Sequence, residues 1–212
     1  SKMIYEFCAE NVTNLEKAMQ AGARRIELCD NLAVGGTTPS YGVIKAAVEL
    51  AKPYNVTVMT MIRPRGGDFV YNDLELEIML EDIQMARSAG THGLVFGVLT
   101  TANKIDYPKM AKLLKASQGL EVVFHMAFDA TPREHQFSEM DWLMEHSVKR
   151  ILTHGGLAEE PIQEHFSWLY ELINHAAGRI DILPGGGITV DNRDEIVAKL
   201  GVNQLHGTKI VF

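Results

Sequence analysis

Hydrophobic and polar positions follow two patterns that alternate along the whole chain. Short apolar runs, typical of buried parallel strands, alternate with longer stretches in which apolar residues recur at helical spacing. Strands are predicted at residues 3–8, 24–29, 56–62, 93–99, 121–125, 150–153, 179–184 and 203–207. Helices are predicted shortly after the first strand and at residues 41–52, 73–90, 107–117, 134–146, 161–176 and 191–201.

Strict alternation of strand and helix predicts an α/β fold with a parallel sheet and right-handed crossovers. Eight such units predict a (β/α)8 TIM barrel, and no linker or low-complexity segment divides residues 1–212, so we expect one domain. Residues 208–212 are too few for a full eighth helix. We therefore expect a homodimer, or an unusual covering, over the bare strand surface. A truncated chain would explain the same ending equally well.

Charge and hydropathy exclude several classes of partner. The formal net charge of −7 argues against non-specific binding to nucleic acid or to anionic membranes, both of which attract clustered positive charge. No apolar run approaches the length of a membrane-spanning helix, and the first residues lack the pattern of a signal peptide. We expect a cytoplasmic protein.

Carboxylates and thiols share the inward face of the first two strands. Side chains alternate along a strand, so Glu6 faces the same way as Cys8, and Glu27 the same way as Cys29. Buried carboxylates are costly, which favours a pocket at these strand ends. Adjacent strands lie about 4.8 Å apart, so both thiols could reach one soft metal ion. The alternative is that both cysteines are small buried hydrophobic residues.

Two further strand ends carry candidate catalytic residues. Arg63 follows the third strand and suits a carboxylate or phosphate ligand, whereas His125 ends the fifth strand and suits a general base or a metal ligand. With Glu27 they form a candidate pocket. The alternative for Arg63 is that it only neutralises Glu6 or Glu27. His154, after the sixth strand, is a weaker candidate.

The loop after the seventh strand contains three consecutive glycines, Gly185, Gly186 and Gly187. Loops at this position of a barrel often bind phosphate through backbone N–H groups. We expect a small anion there. A tight turn with positive φ would explain the same glycines.

Several of these segments together resemble a known family. "ELCDNLAVGGTTPSYG", "MIRPRGGDFVYND", "GLVFGVLT", "VFHMAFD", "ILTHGG" and "PGGGI" are similar, in order and spacing, to the CutC copper-homeostasis family. The resemblance covers nearly the whole chain. It implies a (β/α)8 barrel, a cytoplasmic location, frequent dimers and Cu(I) handling, with Cys8 and Cys29 at the positions of the family's proposed Cu(I) ligands.

The chain departs from the family pattern at two positions. Met126 stands where the family commonly has arginine, and His154 stands where serine is usual. Losing a cation weakens a general anion-binding role for the pocket. Strand parity predicts, however, that Met126 points away from His125.

Two functions fit these residues. The first is Cu(I) binding or buffering through Cys8 and Cys29, without turnover. The second is an enzyme that acts on a small phosphorylated or carboxylated metabolite, with Arg63 and the glycine loop holding the anion and Glu27 or His125 moving a proton. A vestigial pocket, in which the charges merely satisfy one another, is a third reading. We favour copper handling because the resemblance adds to the cysteine pattern; whether the protein is an enzyme stays open.

Overall fold

The computed structural model describes residues 2–212, in which eight strands and seven α-helices alternate. The strands are β1 (Ile4–Glu10), β2 (Arg25–Cys29), β3 (Thr57–Met61), β4 (Gly93–Phe96), β5 (Glu121–Phe124), β6 (Arg150–Thr153), β7 (Asp181–Pro184) and β8 (Gln204–Gly207). The α-helices are α1 (Leu15–Gln20), α2 (Tyr41–Ala51), α3 (Asp73–Ser88), α4 (Tyr107–Ala116), α5 (Arg133–Glu145), α6 (Phe166–Ala176) and α7 (Arg193–Leu200). Short 3-10 helices cover Leu32–Val34, Lys52–Tyr54, Met126–Ala130 and Ile162–His165.

All eight strands are parallel and form one sheet in the order β7-β6-β5-β4-β3-β2-β1-β8. A parallel bridge between Gly185 and His206 joins the two edges, so the sheet closes on itself. The predicted (β/α)8 barrel is therefore confirmed.

Capping and an apolar face explain where the longest helix forms. The Asn72 side chain accepts a hydrogen bond from the Glu75 backbone N–H, and the Glu75 carboxylate accepts one from the Asn72 N–H, so α3 begins with a complete capping box. Leu76, Met79 and Ile83 then recur on the face that packs against the sheet, and all three are buried.

The core has two parts. The larger one lies between the strands and the helices. The smaller one fills the inside of the barrel and consists of Cys8, Cys29, Met59, Met61, Val95, Val123, Leu152 and Leu183, with Leu32 and Met126 partly buried against it. The strands β2, β1 and β8 are neighbours in the sheet, so their polar residues Glu27, Glu6 and His206 gather on one side of this interior.

Residues 210–212 cover part of the strand surface against which an eighth helix would pack. Ile210 and Val211 are buried, and the ring of Phe212 lies 5.6 Å from that of Phe7 on β1. Arg193 on α7 donates a hydrogen bond of 2.6 Å to the Ile210 carbonyl. The expected unusual covering is thus present, whereas the homodimer stays a prediction. Within residues 2–212 no helix is long and apolar enough to cross a membrane.

Candidate metal and ligand site

The register of β1 and β2 places both thiols at one end of the barrel. Cys8 lies opposite Glu27, and Glu10 lies opposite Cys29, so Cys29 is two residues further along than Cys8. Both cysteines are buried inside the barrel, as strand parity predicted. Their sulfur atoms and one oxygen of Glu27 lie within 4.8 Å of one another. The structure therefore brings the two predicted metal ligands together.

Glu27 lies between the two sulfur atoms. Its Oε1 is 3.7 Å from Cys8 Sγ and 3.5 Å from Cys29 Sγ, and its buried Oε2 has no hydrogen-bond partner among the described residues. Burial raises the pKa of Glu27 to about 8, and the neighbouring charges of Cys8 and Glu6 act in the same direction. The positive charge of His206 acts in the opposite direction and is outweighed by burial.

The two thiols differ in protonation. A hydrogen bond with Cys29 outweighs burial and, together with His206, lowers the pKa of Cys8 to about 5. The same hydrogen bond and burial raise the pKa of Cys29 well above its usual value. Cys8 is a thiolate at neutral pH, and Cys29 keeps its proton.

Glu6 is held as a carboxylate. Burial would raise its pKa, but the Arg25 guanidinium and a hydrogen bond from His206 lower it to about 2. Arg25 donates to Glu6 Oε2 through Nε and to Gln204 Oε1 through Nη2, the second bond measuring 2.7 Å. This fully buried group is therefore paired on both oxygens.

His206 is the functional residue that sequence reasoning missed. Its Nδ1 lies 2.7 Å from Glu6 Oε1, and its Nε2 lies 4.0 Å from Glu27 Oε1. Burial would lower its pKa, but Glu27, and hydrogen bonds with Cys8 and Glu6, raise it well above the usual value. The available signal was the predicted barrel itself, since its closure pairs β8 with β1 and sets His206 opposite Glu6.

Arg63 does not neutralise either carboxylate. Its guanidinium donates to the carbonyl oxygens of Val34, Gly36 and Gly67 at 2.6, 2.8 and 2.9 Å, and no ion pair joins it to Glu6 or Glu27 within residues 2–212. The alternative that Arg63 only neutralises Glu6 or Glu27 is wrong, because its guanidinium N–H groups donate to backbone carbonyls. Its buried Nε has no partner among the described residues.

His125 is a buried neutral imidazole. Its Nδ1 accepts a hydrogen bond of 3.1 Å from the Ala127 N–H, so the ring proton belongs on Nε2, which has no partner among the described residues. Burial, and then the positive charge of Arg63, lower the pKa of His125 to about 3. Its ring packs 4.9 Å from that of Phe69.

Most of these residues line one cavity of about 260 Å³. The polar and thiol members of its lining are Cys8, Glu27, Arg63, His125 and His206. Cys29 lies behind them and is fully buried. The three candidate catalytic residues and one candidate metal ligand therefore face a common space.

A second cavity of about 410 Å³ adjoins the first and shares Met126 and His206 with it. Gly186 and Gly187 line this second cavity together with Lys209. Gly185 does not line it. A Cβ at Gly185 would lie 2.9 Å from Met126 Cε, so this glycine allows close packing.

Strand parity predicted that Met126 points away from His125, yet Met126 lines the same cavity as His125. Met126 lines both cavities, because β5 ends at Phe124 and the chain turns into the 3-10 helix Met126–Ala130. Strand alternation no longer applies there.

His154 connects two loops instead of lining the first cavity. Its ring nitrogens lie 2.8 Å from the Gly185 carbonyl and 2.7 Å from the Glu160 carbonyl. Its backbone N–H donates to Asp129, whose pKa burial raises to about 6. These contacts give His154 a structural role.

Known proteins share both the sequence and the fold. A family model described as the CutC family matches residues 3–211. The family protein CutC of Enterococcus faecalis is 54% identical over 209 residues, which are 99% of this chain and 100% of the relative. A solved CutC structure from Streptococcus agalactiae, described as a candidate copper homeostasis protein, is 50% identical, covers 98% of this chain and 99% of its own, and has a TM-score of 0.95.

A more distant similarity concerns the fold alone. Deoxyribose phosphate aldolase from Aeropyrum pernix has a TM-score of 0.68 at 14% identity and covers 98% of this chain and 85% of its own. The strength of the family match does not depend on it. The chain belongs to the CutC family.

Proposed function

We propose that the protein binds Cu(I) through the thiolates of Cys8 and Cys29 and serves in copper homeostasis. The observation that carries this proposal is the approach of the two sulfur atoms to within 4.8 Å at the inner end of a cavity. Thiolates are soft ligands that select Cu(I) over harder cations. The description of the Streptococcus agalactiae relative as a candidate copper homeostasis protein supports the same function.

The spacing of the sulfur atoms suits one ion held between them. A metal–thiolate bond is about 2.3 Å long, so two sulfurs on opposite sides of one ion lie about 4.6 Å apart. The sulfur atoms of Cys8 and Cys29 are within 4.8 Å of each other. Both sulfur atoms are therefore near enough to reach one ion.

An anaerobic Cu(I) titration against a competing chromophoric chelator tests the proposal. We expect one tightly bound ion per chain in the wild type, and affinity lower by at least about 100-fold in the Cys8→Ser/Cys29→Ser double variant. The control is His125→Gln, which changes the same cavity and leaves both sulfurs. Weak binding that the double variant does not alter would contradict the proposal.

We keep binding of a small anionic metabolite as a second candidate function. Three buried polar atoms on residues that line the 260 Å³ cavity have no partner among the described residues: Glu27 Oε2, Arg63 Nε and His125 Nε2. Unpaired buried polar atoms favour a polar ligand. Protonated Glu27 would be the proton donor, and His125 would donate a hydrogen bond from Nε2. Gly186, Gly187 and Lys209 would hold the anionic group in the adjoining cavity.

Inorganic phosphate and phosphoglycolate are suitable probes for this second function. If a metabolite binds, Arg63→Ala abolishes binding, whereas the double cysteine variant keeps it. Calorimetry that detects neither probe at millimolar concentration would count against an anion in this cavity.

A cytoplasmic homodimer remains part of the proposal. Leu74 and Ile78 on α3 are both exposed and lie one helical turn apart, which leaves apolar surface available to a second copy. Sedimentation velocity that shows a stable monomer at micromolar concentration would rule the dimer out.

A further inference from the structure

We propose that Met61 is a third sulfur ligand for the Cu(I) ion that Cys8 and Cys29 hold. The inference rests on the proposed function, because it assigns a further residue to the same ion. It adds the neutral thioether of a methionine to the two thiols.

Strand register places Met61 beside Cys29. The strands β2 and β3 are parallel neighbours, and Glu27 lies opposite Met59. Two residues further along each strand, Cys29 and Met61 stand at the same level of the barrel. Side chains two residues apart share a face, and adjacent strands lie about 4.8 Å apart, so Met61 points inward next to Cys29. Both residues belong to the buried cluster inside the barrel.

Met61 also shares a cavity with the other thiol. Met61 and Cys8 both line the 260 Å³ cavity, with Cys29 buried behind them. Because β1, β2 and β3 are consecutive in the sheet, the three sulfur-containing side chains lie on one side of the barrel interior. A methionine side chain has three rotatable bonds, so its sulfur can turn toward an ion bound between the two thiols.

The chemistry of Cu(I) favours this thioether over the nearest oxygen. Glu27 Oε1 lies between the two thiols, at 3.7 Å from Cys8 Sγ and 3.5 Å from Cys29 Sγ. Carboxylate oxygens suit harder cations, whereas thiolate and thioether sulfurs suit Cu(I). We therefore expect the third ligand to be the sulfur of Met61 and not the oxygen of Glu27.

Met59 provides a matched comparison on the same strand. It lies two residues before Met61 on the inward face of β3, and the two side chains are similarly buried, at 1% and 3% exposure. The Met59 sulfur, however, accepts a hydrogen bond of 3.8 Å from Arg150 Nη2. Met59 and Arg150 line a different cavity, of about 370 Å³. Met59 should therefore take no part in binding the ion.

X-ray absorption spectroscopy of the reduced protein loaded with one Cu(I) per chain tests this ligand. We expect three sulfur neighbours of copper in the wild type and in Met59→Leu, and two in Met61→Leu. Loss of a group behind a metal ligand already costs about 10- to 100-fold in affinity. Met61→Leu should accordingly weaken Cu(I) binding by about 10-fold or more in competition with a chromophoric chelator, and Met59→Leu should leave it unchanged.

Leucine replaces methionine with little change of volume, so both variants should fold, which far-UV circular dichroism checks. If Met61→Leu does not fold, the sulfur count of the wild type decides. Two sulfur neighbours in the wild type, with or without an oxygen, or equal affinity in the wild type and Met61→Leu, would overturn the role of Met61 and leave Cys8 and Cys29 as ligands. Failure of the wild type to bind Cu(I) tightly would refute the proposed function and this ligand together.

Discussion

Replacing Glu27 by glutamine should change how the stability of the protein depends on pH. In the folded chain the pKa of Glu27 is raised from its ordinary 4.5 to about 8, first of all by burial. Between these two values the folded state holds a proton that the unfolded state has lost, so this group makes stability fall as pH rises. The loss is about 1.4 kcal/mol per pH unit, or about 5 kcal/mol over the whole window.

Glu27→Gln has no such proton to lose. Its free energy of unfolding, relative to that of the wild type, should therefore increase by about 4 kcal/mol between pH 5 and pH 8. Glutamine also keeps the shape of the protonated side chain, so well below pH 4.5, where both states of the wild type are protonated, the two proteins should differ by a constant amount. The comparison reports the titration of Glu27 together with its effect on His206 and Cys29, whose pKa values the Glu27 charge raises.

Urea unfolding followed by circular dichroism at pH 5, 6, 7 and 8 measures this difference, with a chelator and a reductant present. Glu77→Gln is the control, since it removes a carboxylate from the exposed side of α3 and reports what a surface change of this kind does. A difference between Glu27→Gln and the wild type that stays constant from pH 5 to pH 8 would refute the reasoning.

Three further predictions follow from the same cluster. Alkylation of Cys8 by iodoacetamide, followed by peptide mass spectrometry, should become independent of pH above about 7, because a pKa of about 5 leaves the thiol almost fully ionised there; a rate still rising toward pH 9 would contradict the lowered pKa. Arg25→Met should cost about 3–5 kcal/mol in urea unfolding because it leaves Glu6 without its main partner, whereas exposed Arg24→Met should not. Gly36→Ala should cost about 2 kcal/mol, since φ is +98° and a Cβ would lie 3.0 Å from Cys29 Sγ; unchanged stability would disprove this strain.

Local sequence pattern was sufficient to predict the barrel and the inward direction of the first two strands. Alternation of side chains is a local property, so Glu6 and Cys8 could be assigned to one face without knowledge of the neighbours. The approach of the two thiols could also be predicted, because consecutive strands of such a barrel are adjacent. Both predictions are confirmed.

Contacts between distant parts of the chain could not be predicted in the same way. Glu6 is paired with Arg25 and His206, and the pairing of β8 with β1 that brings His206 there exists only once the barrel closes. The partners of Arg63 are backbone carbonyls, which have no sequence signature. The direction of the Met126 side chain could not be predicted from strand alternation, because β5 ends two residues before it.

The stagger between the two cysteines has a consequence for oxidation. Cys29 is two residues further along β2 than the partner of Cys8, so with strands about 4.8 Å apart and a rise of about 3.3 Å per residue the two Cα atoms are about 8 Å apart. Disulfide bonds join Cα atoms separated by about 4.4–6.8 Å. The pair is thus close enough to share an ion and too far apart to form a disulfide unless the strands slide. Thiol counting after treatment with diamide should still find two free thiols per folded chain, and their loss would show that this register can shift.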